Sequence, residues 1–277
     1  RGKNQLQDII ERARVTVVIF DEYQILTTEQ FWEAQILEKY RKQAEATNNH
    51  IILDKQLRMQ AGPETMDWID SFTKRNEIKK LPETVDGYTI KVFDDPEQLD
   101  LEITEKAKKT DSALSRLIAT YDWEYSSKAK RRFRKYWEVE IGAWHKPWNR
   151  ELKSELSQKE KRQIKDLAWA EQPQTINEVG STFTIQGFDL NYAGVILGPS
   201  VKYRNGKVIY DPEKSCNDKA IQNRTLSDGS KQKFGEILIQ HAVRVLMTRG
   251  VNGMFIYACD DELREALKRA TQRGETK

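Results

Sequence analysis

One segment with residues suited to phosphate chemistry follows an apolar run at residues 15–20 and reads Asp21-Glu22-Tyr23-Gln24. An acidic residue at the carboxyl end of a parallel strand lies where open α/β sheets bind ligands. There, Asp21 or Glu22 can hold Mg²⁺, and Gln24 can sense a γ-phosphate or orient the attacking water. An ordinary solvated strand end is the alternative interpretation.

Three arginines are candidates for contacts with a phosphoryl group. Arg58 ends a Gln-Leu-Arg sequence, and Arg244 and Arg249 lie near the end of an apolar helical segment that Gly250 is expected to cap. The planar guanidinium binds phosphate oxygens through two bonds and stays charged. One such arginine finger is worth roughly 10³–10⁵ in rate. Each arginine could instead be a surface or helix-terminal cation with no other role.

A further candidate segment, residues 182–189, places polar residues and a glycine between two predicted strands. Gly187 allows the backbone to approach a ligand closely, and Thr184 and Gln186 can donate hydrogen bonds to a phosphate. Asp189 ends the segment as a further candidate for nucleotide binding. A plain loop between strands remains the alternative.

The densest basic stretch, residues 128–137, mixes cations with aromatic residues. In such a stretch, cations follow a nucleic-acid backbone while rings stack on bases, at roughly 1–3 kcal/mol per stacked base. A solvated basic surface whose aromatic residues belong to the core is the alternative. The expected nucleic-acid contacts are Lys130, Arg131, Arg132, Arg134 and Trp137.

The elements that position these residues alternate in the manner of an α/β fold. The run at residues 15–20 predicts a strand buried on both faces, with helices at residues 5–14 and 29–46 on either side. Asn205-Gly206 predicts a hairpin turn between strands 200–204 and 207–211. Pro and Gly residues place a domain boundary near 60–84 and a surface loop at 212–232. Further strands are predicted at 88–93, 114–121, 181–185, 193–197 and 253–259, and further helices at 96–109, 233–248 and 260–272.

The composition excludes several classes of protein. The 277 residues carry a net charge of +3, with 38% hydrophobic and 32% charged residues. The apolar runs are too short to cross a bilayer, and no signal peptide is visible, so a cytoplasmic protein is expected. Two distant cysteines and three histidines predict no metal centre.

Taken in order, the segments resemble the motifs of superfamily 1 helicases, and more closely the Schlafen-type DNA/RNA helicase domain family. In that resemblance Gln24 belongs to the third motif, Arg58 to the fourth, residues 182–189 to the fifth, and Arg249 is the finger of the sixth. It covers nearly the whole chain. Its other features are Asn4-Gln5-Leu6, Ala119-Thr120-Tyr121-Asp122-Trp123 and Trp148-Asn149.

The resemblance implies a RecA-like P-loop NTPase fold, with a parallel sheet flanked by helices. Residues 1–60 would end the first RecA-like domain, and 61–277 would form the second, with a basic and aromatic insertion near 123–150. The pair Asp21-Glu22 could be the metal-binding acids of the second helicase motif. The resemblance favours the following motif instead, with the metal-binding acids upstream of Arg1.

The sequence departs from the family at the phosphate-binding loop, because no Gly-x-x-x-x-Gly-Lys-Ser/Thr is present. We therefore expect a fragment of an ATP-dependent helicase or translocase that does not hydrolyse ATP alone. ATP and Mg²⁺ would bind to the intact parent, whose missing N-terminal region supplies the loop and which acts on DNA or RNA. The first residue, Arg1 rather than Met, also suggests a fragment. The alternatives are a nucleic-acid-binding module without ATPase activity and a signalling NTPase that ignores nucleic acid.

Overall fold

The computed structural model describes residues 5–53, 56–82, 87–109, 114–126 and 134–271. In these ranges, the strands are β1 Thr89–Val92, β2 Ser115–Ala119, β3 Glu138–Ile141, β4 Trp144–Pro147, β5 Val179–Ser181, β6 Leu190–Leu197, β7 Val201–Arg204, β8 Lys207–Tyr210, β9 Asn223–Thr225, β10 Lys231–Lys233 and β11 Gly250–Ala258. Five of them form one parallel sheet in the order β1, β11, β6, β2, β5. The others form the antiparallel pairs β3–β4, β7–β8 and β9–β10.

Helices connect and cover these strands. The α-helices of the described ranges are α1 Gln5–Arg12, α2 Ala34–Ala46, α3 Pro63–Lys74, α4 Pro96–Lys109, α5 Gln158–Gln163, α6 Thr182–Ile185, α7 Asp218–Ile221, α8 Gly235–Met247 and α9 Asp261–Thr271. Single 3₁₀ turns occur at Glu22–Gln24, Thr28–Gln30, Glu151–Glu155, Trp169–Glu171, Pro173–Asn177 and Pro212–Lys214. Each of these helices is too short or too polar to cross a membrane.

The sheet is buried on both faces. On one face, Ile103 of α4 packs in a cluster with Leu117 and Ile196. On the other face, α3, α8 and α9 contribute to a larger cluster that includes Phe72 and Ile256. Since both faces of the central strands are covered, their sequences are nearly continuous apolar runs. This arrangement confirms the predicted α/β class and RecA-like fold.

The hairpin predicted at Asn205-Gly206 is also confirmed. Both residues have positive φ, 51° and 79° respectively. A two-residue turn with two positive φ angles matches the right-handed twist of the flanking strands. Asn and Gly are the residues that adopt this conformation at least cost.

The predicted break near residues 60–84 contains a core helix. Gly62 is the N-cap of α3, and Pro63 is its first residue, where the missing N–H and fixed φ of proline suit a helix start. Trp68 and Phe72 of this helix are buried, and Trp68 Nε1 donates to the carbonyl oxygen of Lys79 at 2.9 Å. The Gly-Pro pair therefore begins a helix of the sheet domain's core.

The strand predicted at residues 15–20 does not form in this chain. Val17 is 82% exposed and Ile19 is 86% exposed, and among the described strands none pairs with this segment. The apolar segment 51–53 is likewise irregular and exposed. A strand needs a neighbour to complete its backbone hydrogen bonds. Residues 15–20 have a β-forming composition, but no strand of the described ranges pairs with them.

Replacement of Phe72 tests whether α3 belongs to the core. Phe72→Ala should lower the free energy of unfolding by about 3–5 kcal/mol, because it leaves a cavity between α3 and the sheet. Leu101→Ala is a matched control, since Leu101 is 62% exposed on α4 and should lose less than about 1 kcal/mol. Urea unfolding of both variants measures the difference, and a small loss for Phe72→Ala would contradict the assignment.

A buried carboxylate precedes β5 and ties it to the segments before it. Glu178 is 1% exposed, its Oε2 accepts from Trp169 Nε1 at 3.0 Å, and its Oε1 accepts from the N–H of Leu152 at 2.5 Å. Burial raises the pKa of Glu178 to about 7. The folded protein therefore holds a proton at Glu178 that the unfolded chain releases near pH 4.5.

This carboxylate makes stability depend on pH. The raised pKa of Glu178 adds to the free energy of unfolding. This stabilisation is complete below pH 4.5 and is lost as the pH rises through about 7. In the wild type, the free energy of unfolding should fall between pH 5 and pH 8. In Glu178→Gln this fall should be smaller by up to about 3 kcal/mol. Urea unfolding at the two pH values measures this fall. The exposed Glu265→Gln should keep the wild-type fall, and an unchanged fall in Glu178→Gln would contradict the assignment.

Candidate functional site

Two of the predicted arginines meet at one carboxylate. Arg58 Nε forms an ion pair with Asp189 Oδ1, and Arg249 Nη1 lies 4.0 Å from the same oxygen. Burial and then the nearby charge of Arg58 lower the pKa of Arg249 to about 10. The guanidinium of Arg249 is therefore charged at neutral pH, and Asp189 lies between the side chains of two arginines.

Arg249 is fixed by the backbone around it. Its Nε donates to the carbonyl oxygen of Val245 at 3.1 Å, and its Nη1 donates to that of Phe188 at 3.3 Å. The residue is 1% exposed. It follows Thr248, the C-cap of α8. Its own carbonyl oxygen accepts from the N–H of Leu190, the first residue of β6, at 2.9 Å. The guanidinium thus contacts the backbone of the segment that ends in Asp189.

Gly250 has a different role from the predicted helix cap. The helix α8 ends at Met247, and its C-cap is Thr248. Gly250 begins β11, where a β-carbon would lie 2.0 Å from the carbonyl oxygen of Gly253. The pairing of β11 with β6 shifts register between these two glycines. The absence of a side chain therefore serves a close backbone approach at a bulge.

Arg58 is positioned by a glutamine that the sequence analysis did not assign a role. Gln56 Oε1 accepts from the N–H groups of Arg58 and Met59, the latter at 2.7 Å, and Gln56 Nε2 donates to the carbonyl oxygen of Met59 at 3.0 Å. The next residue, Gln60, donates its N–H to Val251 of β11 at 2.8 Å. The spacing Gln-x-Arg is the signal for this turn, because the glutamine folds the backbone that presents the arginine.

The turn that carries Gln24 is docked against the same region. Asp21 caps it, with Oδ1 accepting from the N–H of Tyr23 at 3.0 Å, and Gln24 Nε2 donates to Asp21 Oδ2 at 3.0 Å. Gln186 Nε2 donates to the carbonyl oxygen of Gln24 at 3.4 Å. Asp21 also stabilises the charge of Arg249, which opposes the lowering of its pKa by burial. Residues from three distant parts of the sequence are thus brought together.

Glu22 and Arg244 lie at the other side of this turn. Glu22 is exposed and acts electrostatically on His241. Arg244 pairs with the carboxylate of Asp70 in α3, and its guanidinium lies 4.9 Å from the ring centroid of Tyr23. The charge of Arg244 therefore joins α8 to α3 and to the turn. Tyr23, another residue that the sequence analysis did not single out, is the ring on which this contact depends.

The segment 182–189 starts as a helical turn, so the strand predicted at residues 181–185 is wrong beyond Ser181. The N–H of Ser181 donates to Thr184 Oγ1 at 2.8 Å, and Thr184 Oγ1 donates to the carbonyl oxygen of Ser181 at 2.9 Å. Ser and Thr favour such reciprocal capping at helix starts. Gly187 then has a φ of +82°, which glycine adopts at little cost. The Thr184 hydroxyl is therefore engaged with backbone.

Two of the five predicted nucleic-acid residues, Arg134 and Trp137, lie among the described residues. Lys130, Arg131 and Arg132 lie outside the described residues. Arg134 Nη1 pairs with the carboxylates of Glu138 at 3.3 Å and Glu140 at 3.2 Å. Trp137 is half-buried and packs against the hydrophobic cluster that includes Ile103 of α4. Its ring therefore contributes to core packing.

Both arginines lie at the amino-terminal edge of the sheet, because Asp189 precedes β6 and Arg249 precedes β11. The carboxyl-end position expected for Asp21 depended on a strand at residues 15–20, which is not among the described strands. Among the described residues, His, Cys, Asp and Glu side chains form no group of three that could hold a metal ion. The described cluster is suited to contacts with an anion.

Comparison with known proteins identifies the family. The model for Schlafen group 3, DNA/RNA helicase domain, matches residues 1–260. The chain is 29% identical over 293 residues to the uncharacterized protein YPL245W of Saccharomyces cerevisiae, an alignment that covers 98% of this chain and 61% of that relative. No solved structure matches the chain. The resemblance seen in the sequence is thus confirmed, and the chain belongs to the Schlafen group 3 DNA/RNA helicase domain family.

Proposed function

We propose that this chain supplies the phosphate-sensing half of an ATP-driven nucleic-acid helicase or translocase. The observation that carries the proposal is the pairing of Arg58 and Arg249 with the single carboxylate of Asp189. Two guanidinium groups that converge on one anionic group can also bind a phosphoryl group, whose oxygens accept the same charge-assisted bonds. Asp189 then holds the two arginines in position until the γ-phosphate arrives.

The two arginines have different access to a ligand. The side chain of Arg58 is 32% exposed, whereas that of Arg249 is 1% exposed. Arg58 can therefore contact a phosphate directly, and Arg249 does so once Asp189 moves aside. Each arginine would stabilise charge on the transferred phosphoryl group, and Gln24 would orient the attacking water.

The donor groups fit the phosphates of ATP better than its Mg²⁺. Both carboxylate oxygens of Asp21 already accept hydrogen bonds, from Tyr23 and Gln24, and Asp189 is paired with Arg58. This supports the assignment of Asp21 and Gln24 to the motif after the metal-binding acids. Bound Mg²⁺ would neutralise charge on the β- and γ-oxygens, and we assign its ligands to the part of the protein that contains the phosphate-binding loop.

We further propose that residues 1–60 end a first RecA-like domain whose remaining strands lie in sequence outside this chain. The support is the pair of unpaired β-forming segments, which expose apolar residues that a sheet would bury. The chain spans 61% of the length of its yeast relative, so a longer protein has room for such a domain. The exposed residues are Val15, Val17, Val18, Ile19, Ile51, Ile52 and Leu53.

Hydrogen exchange tests this domain assignment. The amides of residues 16–20 should exchange within seconds in the 277-residue chain and be protected at least about 100-fold in the full-length protein, where strands on either side would hold them. Mass spectrometry of peptic peptides measures the difference. Peptides of β6 should be protected in both proteins. Equal, fast exchange of residues 16–20 in the two proteins would overturn the assignment.

Steady-state ATPase measurements on the full-length protein test the role of the arginines. Arg58→Ala should lower nucleic-acid-stimulated kcat by about 10³ or more, because it removes charge stabilisation from the phosphoryl group. Arg75→Ala is the matched control, because Arg75 is exposed and pairs with Asp67 away from the cluster, and it should keep wild-type turnover.

Arg249→Lys complements this variant, since it keeps a buried cation but loses the planar fork, and it should lower kcat while the protein stays folded. Unchanged turnover in Arg58→Ala would contradict the proposal. An ATPase that neither DNA nor RNA stimulates would instead support a signalling NTPase.

A further inference from the structure

The ring of Tyr23, the residue before Gln24, is contacted by side chains from two helices of the sheet domain. Lys74 Nζ of α3 lies 4.2 Å from the ring centroid, and the guanidinium carbon of Arg244 in α8 lies 4.9 Å from it. The ring of His241, also in α8, meets that of Tyr23 edge to face, with centroids 5.7 Å apart. Since cations are attracted to the face of an aromatic ring, these contacts hold the turn on α3 and α8.

Asp70 of α3 fixes the two cations at this ring. Its Oδ2 pairs with Lys74 Nζ at 2.9 Å, and its Oδ1 pairs with Arg244 Nη1. Lys74 lies one helical turn after Asp70, whereas Arg244 comes from α8. The carboxylate between the two cations offsets their mutual repulsion, so both can remain close to one ring.

His241 also holds the backbone that follows the turn. Its Nδ1 lies 3.1 Å from the carbonyl oxygen of Ile25, and because a carbonyl oxygen only accepts, Nδ1 carries the hydrogen. Burial lowers the pKa of His241, so the ring is mainly neutral at neutral pH. One side chain of α8 therefore contacts both the ring of Tyr23 and the backbone two residues later.

The turn lies where the chain passes from an exposed segment to a docked one. Residues 15–20 expose most of their apolar side chains and pair with no described strand. After the turn, Phe31 stacks on Phe234 with ring centroids 3.9 Å apart, and the Glu33 carboxylate accepts from the N–H and the Oγ of Ser227 at 2.9 and 2.6 Å. Tyr23 thus lies at the start of the docked segment.

In the part of the chain that the structure describes, the hydrogen bonds of Gln24 tie it only weakly to the sheet domain. Its side-chain amide donates to Asp21 within the same turn, at 3.0 Å. Its carbonyl oxygen accepts from Gln186 Nε2 at 3.4 Å, a distance beyond the usual range for such a bond. The ring of Tyr23, with contacts to three side chains, is therefore the larger link between the turn and the sheet domain.

We propose that Tyr23 is a positioning residue, which holds Gln24 near the arginine pair Arg58 and Arg249 through the contacts of its ring with α3 and α8. This role rests on the proposed function, because it affects the reaction only through the water that Gln24 would orient. Asp21, whose charge acts on Arg249, begins the same turn. A turn released from α3 and α8 would therefore take both Asp21 and Gln24 away from the arginines.

Steady-state ATPase measurements on the full-length protein test this role with two substitutions at one position. Tyr23→Leu removes the aromatic face and should lower kcat at least about tenfold, because the group that orients the water is displaced. KM for ATP should change less than about twofold, since the interaction lost acts on the reaction and not on ATP binding. Tyr23→Phe keeps the face to which the cations are attracted and should retain at least about half of the wild-type kcat.

Tyr203→Leu is the matched control. It removes another half-buried tyrosine, in β7, which follows the opposite end of β6 from Asp189, and it should keep wild-type turnover.

Hydrogen exchange of the same proteins gives a readout that does not require ATP hydrolysis. The amides of Gln24 and Ile25 donate to the carbonyl oxygens of Asp21 and Glu22 at 3.2 and 3.3 Å. These amides should exchange at least about fivefold faster in Tyr23→Leu than in the wild type or in Tyr23→Phe, because the turn opens more often when the ring contacts are lost. Mass spectrometry of peptic peptides measures the rates.

The outcomes separate this role from the proposed function. If the wild type hydrolyses ATP and Tyr23→Leu does so equally well, the positioning role is overturned and the proposed function stands. Equal losses of turnover in Tyr23→Leu and in a folded Tyr23→Phe also overturn the role, because the aromatic face would then not be the cause. Equal exchange rates in Tyr23→Leu and the wild type overturn it even where turnover falls. A full-length wild type without ATPase activity contradicts the proposed function, and the positioning role is overturned with it.

Discussion

Parallel pairing of β6 with β11 is the constraint on which the candidate phosphate site depends. The hydrogen bond from the N–H of Leu190 to the carbonyl oxygen of Arg249 aligns the starts of the two strands. Because Asp189 and Arg249 each precede one of these strands, alignment alone brings the carboxylate to the guanidinium. The register of this pairing shifts between Gly250 and Gly253, so these two glycines influence where Arg249 lies relative to Asp189.

Many elements around the parallel sheet are predictable from the sequence because residues within each element determine its conformation. The helix at residues 96–109 has the predicted bounds, and the Asn205-Gly206 turn follows from the φ angles these residues tolerate. Where the prediction erred, a stronger local signal competed with the periodicity. Thr184 caps Ser181 and turns a β-branched segment into a helix start. Gly62-Pro63 was interpreted as a break in the pattern, but it begins a helix whose apolar residues Trp68 and Phe72 are buried in the core.

The candidate site was predictable as a set of residues but not as a geometry. Arg58, Asp189 and Arg249 are separated by up to 191 positions in the chain, and only the folded sheet shows that one carboxylate serves both arginines. The residue pattern alone did not distinguish Arg244 from Arg249, and only the family resemblance singled out Arg249. Both are arginines near one helix end, yet Asp70 lies opposite only the first of them, and that partner comes from a helix the pattern had missed.

The two edges of the sheet therefore carry opposite charge for a structural reason. At the amino-terminal edge, two guanidinium groups share one carboxylate, so the net charge is positive and the edge favours an anion. At the carboxyl-terminal edge, Asp122 is held by neutral donors from Thr120 and Ser200, so its charge is retained without a counter-ion. The strand β6, Leu190–Leu197, joins the two edges, because it begins directly after Asp189 and ends directly before Gly198. The same strand that positions the arginine pair thus also determines where the second carboxylate lies.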